Sequence, residues 1–393
     1  MGENQVSLQS LITVFDGVPD FRIDRHKKYT IGEILFLTLS AVVSGFTEWE
    51  EIADFGNEKL DWLRSFYKYE NGTPSHDTVN RVISHLDNRA FEERFIRWAT
   101  QDIRLPDGTV INVDGKKLRG SATKKEQQTP HSEGGKSAVH LVQAWCNELQ
   151  LCLGQYKTED KSNEITAIPA LLEWLDLRGC IVTIDAMGCQ KAIAQQVISQ
   201  EADYVLGLKG NQSKLKEAVT ELFEQAGTIN EQELRQEESS PEHIEEQTGR
   251  GHGRLEKRVC RVLPAYLLGE ELHMEWPGLQ SVVEITAYRH VMSTGQFSLE
   301  RRYYISSLKA GAAEFNRVVR CHWAIENNLH WSLDVQFKED QSRKRAHNAA
   351  ANFGIILRFA LGLLKNYPEK ISIKRKRNKS AMSDKYREDV LGI

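Results

Sequence analysis

Apolar residues in the first hundred positions recur mainly at helical spacing. Ile31 to Val43 is an almost continuous apolar run, long enough for a buried helix. Three further segments repeat apolar residues every three or four positions: Glu48 to Phe55, Lys59 to Tyr67 and Arg89 to Thr100. This pattern predicts an N-terminal helical domain over residues 1–105.

A short helix inside this region is a candidate DNA-reading element. Ser75 is suited to cap it, and an apolar stripe follows at Val79, Val82, Ile83 and Leu86. Asn80, Arg81 and His85 would then point outward. Such a helix can enter a DNA groove, but the same pattern is typical of an ordinary packed helix. We interpret the N-terminal domain as a DNA-binding domain.

The pattern changes after the turn sequence Leu105 to Gly108. Short β-branched runs now alternate with helical segments, which predicts an α/β fold with buried strands. The predicted order is strand, strand, strand, helix, strand, helix and strand. These elements are Thr109–Val113, Val139–Trp145, Leu151–Tyr156, Glu164–Leu175, Cys180–Ile184, Gln190–Gln200 and Tyr204–Leu208.

The remainder of the chain contains an insertion, a return to the core and a tail. Residues 211–296 have β character after a first helix, and Arg302 to Ser306 is a strand returning to the core. Helical spacing then covers Ala312 to Leu333 and Asn348 to Leu364. We therefore predict a catalytic domain over residues 106–367, with the insertion at 211–296. A basic C-terminal tail, 368–393, is expected to be loosely ordered.

Charge is segregated along the chain, although the net charge is only −4. Residues 115–125 and 370–379 carry several lysines and arginines and no acid, whereas 231–246 contain seven glutamates against one arginine. Such segregation permits a local phosphate-binding surface on an acidic protein, although charge runs are also typical of solvated faces.

The composition limits the cellular compartment in which the protein is expected. The sequence contains no run of 18 apolar residues, so it does not predict a membrane-spanning helix. The first residues also lack a signal-peptide pattern. The six cysteines form no C-x-x-C pair, which is typical of free thiols in a reducing compartment. We expect a cytoplasmic protein with no membrane partner.

Two aspartates occupy matching positions in the predicted sheet. Asp114 follows the run Val-Ile-Asn-Val, and Asp185 follows Ile-Val-Thr-Ile. Groups at the ends of neighbouring strands converge, and two carboxylates held together favour a cation between them. Hard oxygen ligands without cysteine suit Mg²⁺ or Mn²⁺. The alternative is ordinary turn chemistry, since aspartate often follows a strand.

Glu326 is the candidate third carboxylate. It lies in a helical segment and shares a face with His322, Trp323, Leu329 and His330. A glutamate in that setting needs a cation or a basic partner if it is buried. The spacing also permits a partly exposed glutamate beside two histidines. A zinc site is less favoured, because the H-E-x-x-H spacing of zinc hydrolases is absent.

Together these motifs resemble one family. They are Val-Asp-Gly-Lys at 113–116, Thr-Ile-Asp-Ala-Met-Gly-Cys-Gln at 183–190, Leu-Lys-Gly-Asn-Gln at 208–212 and His-Trp-x-x-Glu-Asn-x-Leu-His-Trp at 322–331. The sequence resembles the H-repeat-associated insertion-sequence transposases of the DDE superfamily. The resemblance extends over most of the chain and includes Ser44–Asp54, Pro74–Thr78, Thr158–Pro169, Gly251–Arg258 and Tyr303–Ser307.

The resemblance implies an RNase H-like core with a β-rich insertion before the last catalytic helix. It implies that Asp114, Asp185 and Glu326 bind Mg²⁺, with Mn²⁺ as a substitute, and that the protein cleaves and joins double-stranded DNA. The DNA would be the terminal inverted repeats of the element and a target, held by a homo-oligomer. Related enzymes often carry Arg four residues before the glutamate and Lys seven after it, where this chain has His322 and Leu333.

Basic and polar residues near these motifs become candidate DNA contacts. They are Lys116, Lys117, Arg119, Lys209, Asn211, His252, Arg254, Arg258, Arg320, His322 and His330. Two alternatives to a transposase stay open: a non-transposing RNase H-like nuclease, and a catalytically inactive DNA-binding protein derived from a transposon.

Overall fold

The computed structural model describes residues 8–23, 25, 27–100, 105–123, 137–158, 164–228, 243–251 and 253–393. The chain forms two compact units, each made of separate segments. The first comprises 1–104, 115–163 and 325–393, and the second comprises 105–114 and 164–324. This division differs from the three consecutive segments predicted, because the chain leaves and re-enters each unit.

The helices are α1 Leu8–Asp16, α2 Ile31–Val43, α3 Trp49–Glu58, α4 Leu60–Leu63, α5 His76–His85, α6 Asn88–Thr100, α7 Glu164–Leu172, α8 Lys191–Ser199, α9 Ser213–Thr228, α10 Glu270–Met274, α11 Ala312–Ile325, α12 Trp331–Gln336, α13 Ala349–Asn366, α14 Ile373–Met382 and α15 Asp384–Leu391. The strands are β1 Val110–Leu118, β2 Val139–Cys146, β3 Leu151–Lys157, β4 Ile181–Ile184, β5 Asp203–Leu208, β6 Ile244–Gly251, β7 Arg254–Pro264, β8 Ser281–Val291 and β9 Phe297–Ser306.

Helix α2 lies at the centre of the first unit, and all of its residues are buried. Its start is fixed by a capping box, in which the Thr30 side chain accepts from the Glu33 N–H and the Glu33 carboxylate accepts from the Thr30 N–H. Helices α1, α5, α13 and the last two helices pack against it. The predicted helices of the N-terminal region, including the one capped by Ser75, are confirmed.

The C-terminal residues correct one expectation. The tail is not loosely ordered, because α14 and α15 both pack within the first unit. Ser372 and Ser383 cap these helices, and Arg387 is fully buried with its guanidinium 3.9 Å from the centre of the Trp62 ring. The basic side chains that suggested a solvated tail are therefore partly used in packing, which sequence composition alone does not reveal.

The second unit is built on a mixed sheet with the strand order β1-β4-β5-β9-β8-β7-β6. Strands β1, β4 and β5 are parallel, and the others are antiparallel to their neighbours. The predicted mixed α/β class is confirmed. In the first unit, the predicted strands β2 and β3 pair as an antiparallel hairpin.

The predicted insertion is β-rich, as expected, and its strands β6, β7 and β8 extend the sheet. Strand β9 joins them to the core, because it pairs with both β8 and β5. Helix α11 covers one face of these strands, where Phe315, Val318 and Val319 pack on Cys260, Ile285 and other apolar side chains. The opposite face carries several exposed residues, including Leu255 and Phe297.

The described residues contain neither a membrane-spanning helix nor a disulfide bond. No helix among them is sufficiently long and apolar to cross a membrane. The six cysteines are free thiols, as predicted, and five of them are buried.

Candidate active site

Asp114 and Asp185 lie next to one another in the second unit. Strands β1 and β4 are parallel neighbours, and their last paired residues are Val113 and Ile184. Each aspartate follows directly, on strands about 4.8 Å apart. Asp114 differs from expectation in one respect, because β1 continues past it to Leu118 instead of ending in a turn. What ends at this point is the pairing of β1 with β4.

The Asp185 carboxyl group is half-buried and partly used in the backbone structure. Its Oδ1 accepts hydrogen bonds from the N–H groups of Met187, at 2.9 Å, and Gly188, at 3.4 Å. Burial raises the pKa of Asp185, and the charge of Glu164 raises it further, whereas these N–H groups and Lys209 lower it. A negative charge at this position is therefore incompletely compensated, which suits a nearby cation.

Glu164 is a carboxylate that sequence reasoning overlooked as part of this site. It begins α7 and is buried, yet it acts on Asp185 through its charge. Its only signal in the sequence was its place within the family-like segment 158–169. Spacing could not have indicated it, because the segment is brought to the sheet by the tertiary fold.

The turn after Asp185 requires small residues and is tied to the next strand. A Cβ atom on Gly188 would stand 2.3 Å from the Cγ2 atom of Ile184, so a larger residue would displace the turn. Asn211 donates to the carbonyl of Ala186 at 2.7 Å, and Gln212 donates to the carbonyl of Cys189 at 2.9 Å. Asn211 thus supports the candidate site, and its contact with DNA remains a prediction.

Below the two aspartates is a buried polar layer. Asn112 and Thr183 precede the aspartates by two residues on their strands, and the Thr183 hydroxyl donates to Asn112 Oδ1 at 2.8 Å. The Nδ1 atom of His322 lies 3.1 Å from the same hydroxyl and can donate to it. Burial lowers the pKa of His322 to about 4, with a further contribution from Arg302, so the ring is neutral near pH 7.

This placement corrects the expectation that His322 contacts DNA. The imidazole is only 7% exposed and its Nδ1 faces the strands that carry the aspartates. Its position four residues before Glu326, where related enzymes often have arginine, therefore serves the packing of α11 against the sheet.

Glu326 begins a π-helical turn between α11 and α12. The turn covers Glu326 to His330, and the helical path continues on both sides. The sequence predicted one uninterrupted helix over this segment. Glu326 is exposed, whereas Leu329 is buried in the core of the first unit. The wider turn is common at functional positions, because it alters the direction of side chains within a helix.

Lys116 corrects a second expected DNA contact. Its side chain is 6% exposed, and its Nζ lies 2.6 Å from Asp334 Oδ1, 3.3 Å from Glu339 Oε2 and 3.4 Å from the carbonyl of His330. An ammonium group has three N–H donors, so these three acceptors satisfy it completely. Lys116 therefore holds the first unit together instead of reaching phosphates.

The same group of residues encloses His330. Arg358 donates to Glu339 Oε1 at 2.6 Å, and both side chains are buried. With its amide oriented to satisfy both ends, Gln143 donates to His330 Nε2 at 3.2 Å and accepts from the Arg358 guanidinium. Burial, followed by the charges of Lys116 and Arg358, lowers the pKa of His330 to about 3. His330 is thus a neutral structural residue, which corrects its assignment as a DNA contact.

We call this group the Lys116 network; its members are Lys116, Gln143, His330, Asp334, Glu339 and Arg358. The other predicted DNA contacts have different surroundings. Lys117, Arg119, Lys209, Arg254 and Arg320 are exposed, Arg258 is half-buried, and His252 lies outside the described residues. Contact with DNA remains a prediction for these side chains.

The predicted metal site of three carboxylates is not seen as a group in this structure. Within the part of the chain that the structure describes, no three His, Cys, Asp or Glu side chains are grouped so that they could hold a metal ion. Asp114 and Asp185 provide carboxylate oxygens on neighbouring strands, and Mg²⁺ prefers oxygen ligands.

Comparisons with known proteins agree over nearly the whole chain. A family described as "Transposase DDE domain" matches residues 98–363, and one described as "DDE_Tnp_1-associated" matches residues 12–99. The chain is 42% identical to "Putative transposase YncI" of Escherichia coli O157:H7, over 98% of this chain and 95% of the relative. It is 38% identical to "H repeat-associated putative transposase YhhI" of Escherichia coli K12, over 98% of both chains.

Among solved structures, the chain is similar to a piggyBac transposase in a synaptic complex with hairpin DNA. The TM-score is 0.42 and the sequence identity is 10%, over 99% of this chain and 81% of the other.

Proposed function

This chain belongs to the family of transposases with a DDE domain, and from that premise we propose that it catalyses metal-dependent DNA cleavage and strand transfer. It would bind the terminal inverted repeats of its own element in the bacterial cytoplasm and join them to a target. The observation that carries the proposal is the placement of Asp114 and Asp185 directly after the paired ends of two parallel strands.

We propose Asp114, Asp185 and Glu326 as the ligands of Mg²⁺, with Mn²⁺ as a substitute. The bound metal would activate the attacking oxygen and stabilise the leaving oxygen of the phosphodiester. Two features of the chain support the first two ligands: they follow the paired ends of neighbouring parallel strands, and the pKa of Asp185 is raised by burial and by the charge of Glu164. Glu326 rests on the family resemblance and on its exposed position in a π-helical turn.

The chain's own residues hold the two aspartates in place. The Met187 and Gly188 N–H groups orient the Asp185 carboxylate through Oδ1, and Asn211 and Gln212 brace the turn that follows. Beneath them, the bond between Thr183 and Asn112 links β4 to β1. This arrangement limits the movement of the strand ends and favours a fixed separation of the ligands.

An RNase H-like core is part of the proposal. Its support is the parallel arrangement of β1, β4 and β5 in one sheet together with the antiparallel hairpin of β2 and β3. DNA contacts are proposed for the exposed side chains Lys117, Arg119, Lys209 and Arg254. A homo-oligomer is proposed because two ends must be joined in one reaction.

The test is nicking of DNA that carries the inverted repeats flanking this reading frame. We expect Mg²⁺-dependent cleavage by the wild type and a loss of at least about a hundredfold in Asp114→Asn, Asp185→Asn and Glu326→Gln, because each removes a ligand charge. Asp203→Asn is the matched control, since Asp203 begins β5 at the opposite end of the strands. It should cut like the wild type.

The same assay separates the two alternatives. A non-transposing nuclease would cut DNA without preferring the repeats. An inactive DNA-binding protein would bind the repeats and cut nothing in Mg²⁺ or Mn²⁺. If Asp114→Asn cleaves as fast as the wild type, the assignment of the site is wrong.

A further inference from the structure

Three arginines gather on the face of the second unit's sheet that packs against α11. We call Arg258, Arg302 and Arg320 the arginine cluster. Arg258 on β7 is paired in register with Gln247 on β6 and Ala287 on β8, and Ala287 is paired with Glu300 on β9. Paired residues share a face of a sheet, so Arg258 and Arg302 point to the same side. Arg320 reaches this face from α11, where it donates to Gln247 at 3.3 Å.

Arg258 is the member whose hydrogen bonds are incomplete. Its Nε and Nη2 atoms are shielded from solvent and contact no acceptor among the described residues. Leaving such donors unmet is costly, and more so for a charged group. The side chain as a whole is only half-buried, so part of it is open to solvent.

The neighbours of Arg258 increase the positive charge around it. Burial lowers the pKa of Arg258; Tyr304 and Cys260 oppose this effect, and the charges of Arg320 and Arg302 add to it. Glu300 pairs with Arg302 of the cluster at 2.7 Å, and Glu245 accepts from Asn316 and Gln247. Neither carboxylate accepts from the Nε or Nη2 atom of Arg258. Arg302 also stacks 4.1 Å from the centre of the Trp323 ring, which keeps its guanidinium in place.

We propose that the arginine cluster is a binding site for a phosphate group of the DNA backbone, with Arg258 as its central residue. A phosphate carries several acceptor oxygens and matches the planar donors of arginine. The site rests on the proposed function for its source of phosphate, and it deepens that function by assigning a specific place for the backbone. It carries no base specificity, because phosphate contacts position DNA without reading its sequence.

The first experiment measures DNA affinity by fluorescence anisotropy with a labelled duplex in EDTA. We expect Arg258→Met to bind about tenfold more weakly at moderate salt, and the slope of log K against log salt to fall by about 1. The loss should be equal for duplexes with and without the terminal repeats. Arg258→Lys keeps the charge and should recover part of the affinity.

Arg301→Met is the matched control for this experiment. Arg301 adjoins Arg302 on β9, is exposed and is paired with Thr286, so it points to the opposite face. The two methionine variants lose the same charge. Equal loss of affinity in Arg301→Met and Arg258→Met would mean general electrostatic attraction and would overturn the proposal, as would unchanged affinity in Arg258→Met.

The second experiment measures Tm with inorganic phosphate as the probe. Without phosphate, Arg258→Met should have a Tm about 1–3 °C above the wild type, because it removes a poorly solvated charge beside two others. Phosphate should raise the Tm of the wild type and much less that of Arg258→Met. A lower Tm in the variant, or equal stabilisation of both by phosphate, would show a structural arginine and contradict the site.

These measurements remain informative if the proposed function fails. Binding is measured without metal, so it does not depend on Asp114, Asp185 or Glu326. A protein that binds DNA through Arg258 and never cleaves it would refute the proposed reaction and leave this site standing. A protein that cleaves, but whose Arg258→Met variant binds normally, would refute this site alone.

Discussion

The Lys116 network in the first unit and the arginine cluster in the second use similar side chains in opposite ways. In the Lys116 network, the buried carboxylate of Glu339 accepts from both Lys116 and Arg358. In the arginine cluster, Arg258 has two buried donors without acceptors among the residues that the structure describes, and two arginines as charged neighbours. The role of a basic residue therefore depends on whether the fold gives it an acidic partner. The sequence shows only that both groups contain basic residues.

The physical difference lies in charge compensation. A buried ion pair stabilises a fold only relative to the state in which one partner is removed, and it favours one arrangement of its elements. The Lys116 network fulfils this role for the segments around His330 and Glu339. An uncompensated guanidinium stabilises nothing by itself and is better suited to an external anion.

The largest expected effect is a loss of stability when the charge pairing of the Lys116 network is broken. Glu339→Gln leaves Lys116 and Arg358 without their shared negative charge, and we expect it to lower the free energy of unfolding by about 3–5 kcal/mol. Urea denaturation measures the change. Glu256→Gln is the control, because Glu256 pairs with Arg289 on the surface and should cost less than about 1 kcal/mol. A loss of similar size in both variants would mean that the network has no special structural role.

A smaller effect concerns a buried carboxyl group that lacks such compensation. Glu92 is 2% exposed; its Oε1 accepts from the Gln155 N–H, and its Oε2 has no partner among the described residues. Burial raises the pKa of Glu92 to about 8. The pKa of Glu92 is therefore higher in the folded state than in the unfolded state. The protonated carboxyl group contributes its full stability below about pH 4.5, and this contribution is lost as pH rises through about 8.

Glu92→Gln tests this directly. Relative to the wild type, the variant should gain up to a few kcal/mol in unfolding free energy between pH 5 and pH 9, because its side chain cannot ionise. Urea denaturation at several pH values measures the difference between the two proteins. A difference that stays constant over this range would show that Glu92 does not titrate in the folded state.

The smallest expected effect distinguishes two adjacent lysines. Lys117 is exposed on β1, next to buried Lys116. Lys117→Met should alter the free energy of unfolding by less than about 0.5 kcal/mol and lower the salt slope of DNA binding by about 1. Lys116→Met should instead destabilise the fold. The same stability loss in both variants would remove the distinction between the surface residue and the network.

Local patterns predicted most elements of the fold. Helix α2 and the strands preceding Asp114 and Asp185 have strong apolar or β-branched patterns, and the structure confirms them within a few residues. The exceptions depend on partners distant in sequence. The tail forms helices because buried sites receive Arg377 and Arg387, and β1 continues past Asp114 to a length that its β-branched run does not indicate.

The candidate site was predictable to different degrees. Asp114 and Asp185 follow from the sequence, because parallel strands bring the residues after them together. Glu164 was missed, and His322, His330 and Lys116 were assigned to DNA although they are largely buried. A histidine or lysine has the same appearance in a sequence whether its acceptors are in the protein or in a phosphate.

By itself, the sequence determined the alternation of strands and helices, the paired aspartates and the transposase family, because these depend on local spacing and on motifs. Only the tertiary structure decided which basic residues are compensated. Lys116 lies 218 residues before Asp334, and Arg258 owes its unmet donors to strands and a helix from other parts of the chain. Burial and hydrogen-bond partners are properties of the folded contacts, and no local pattern specifies them.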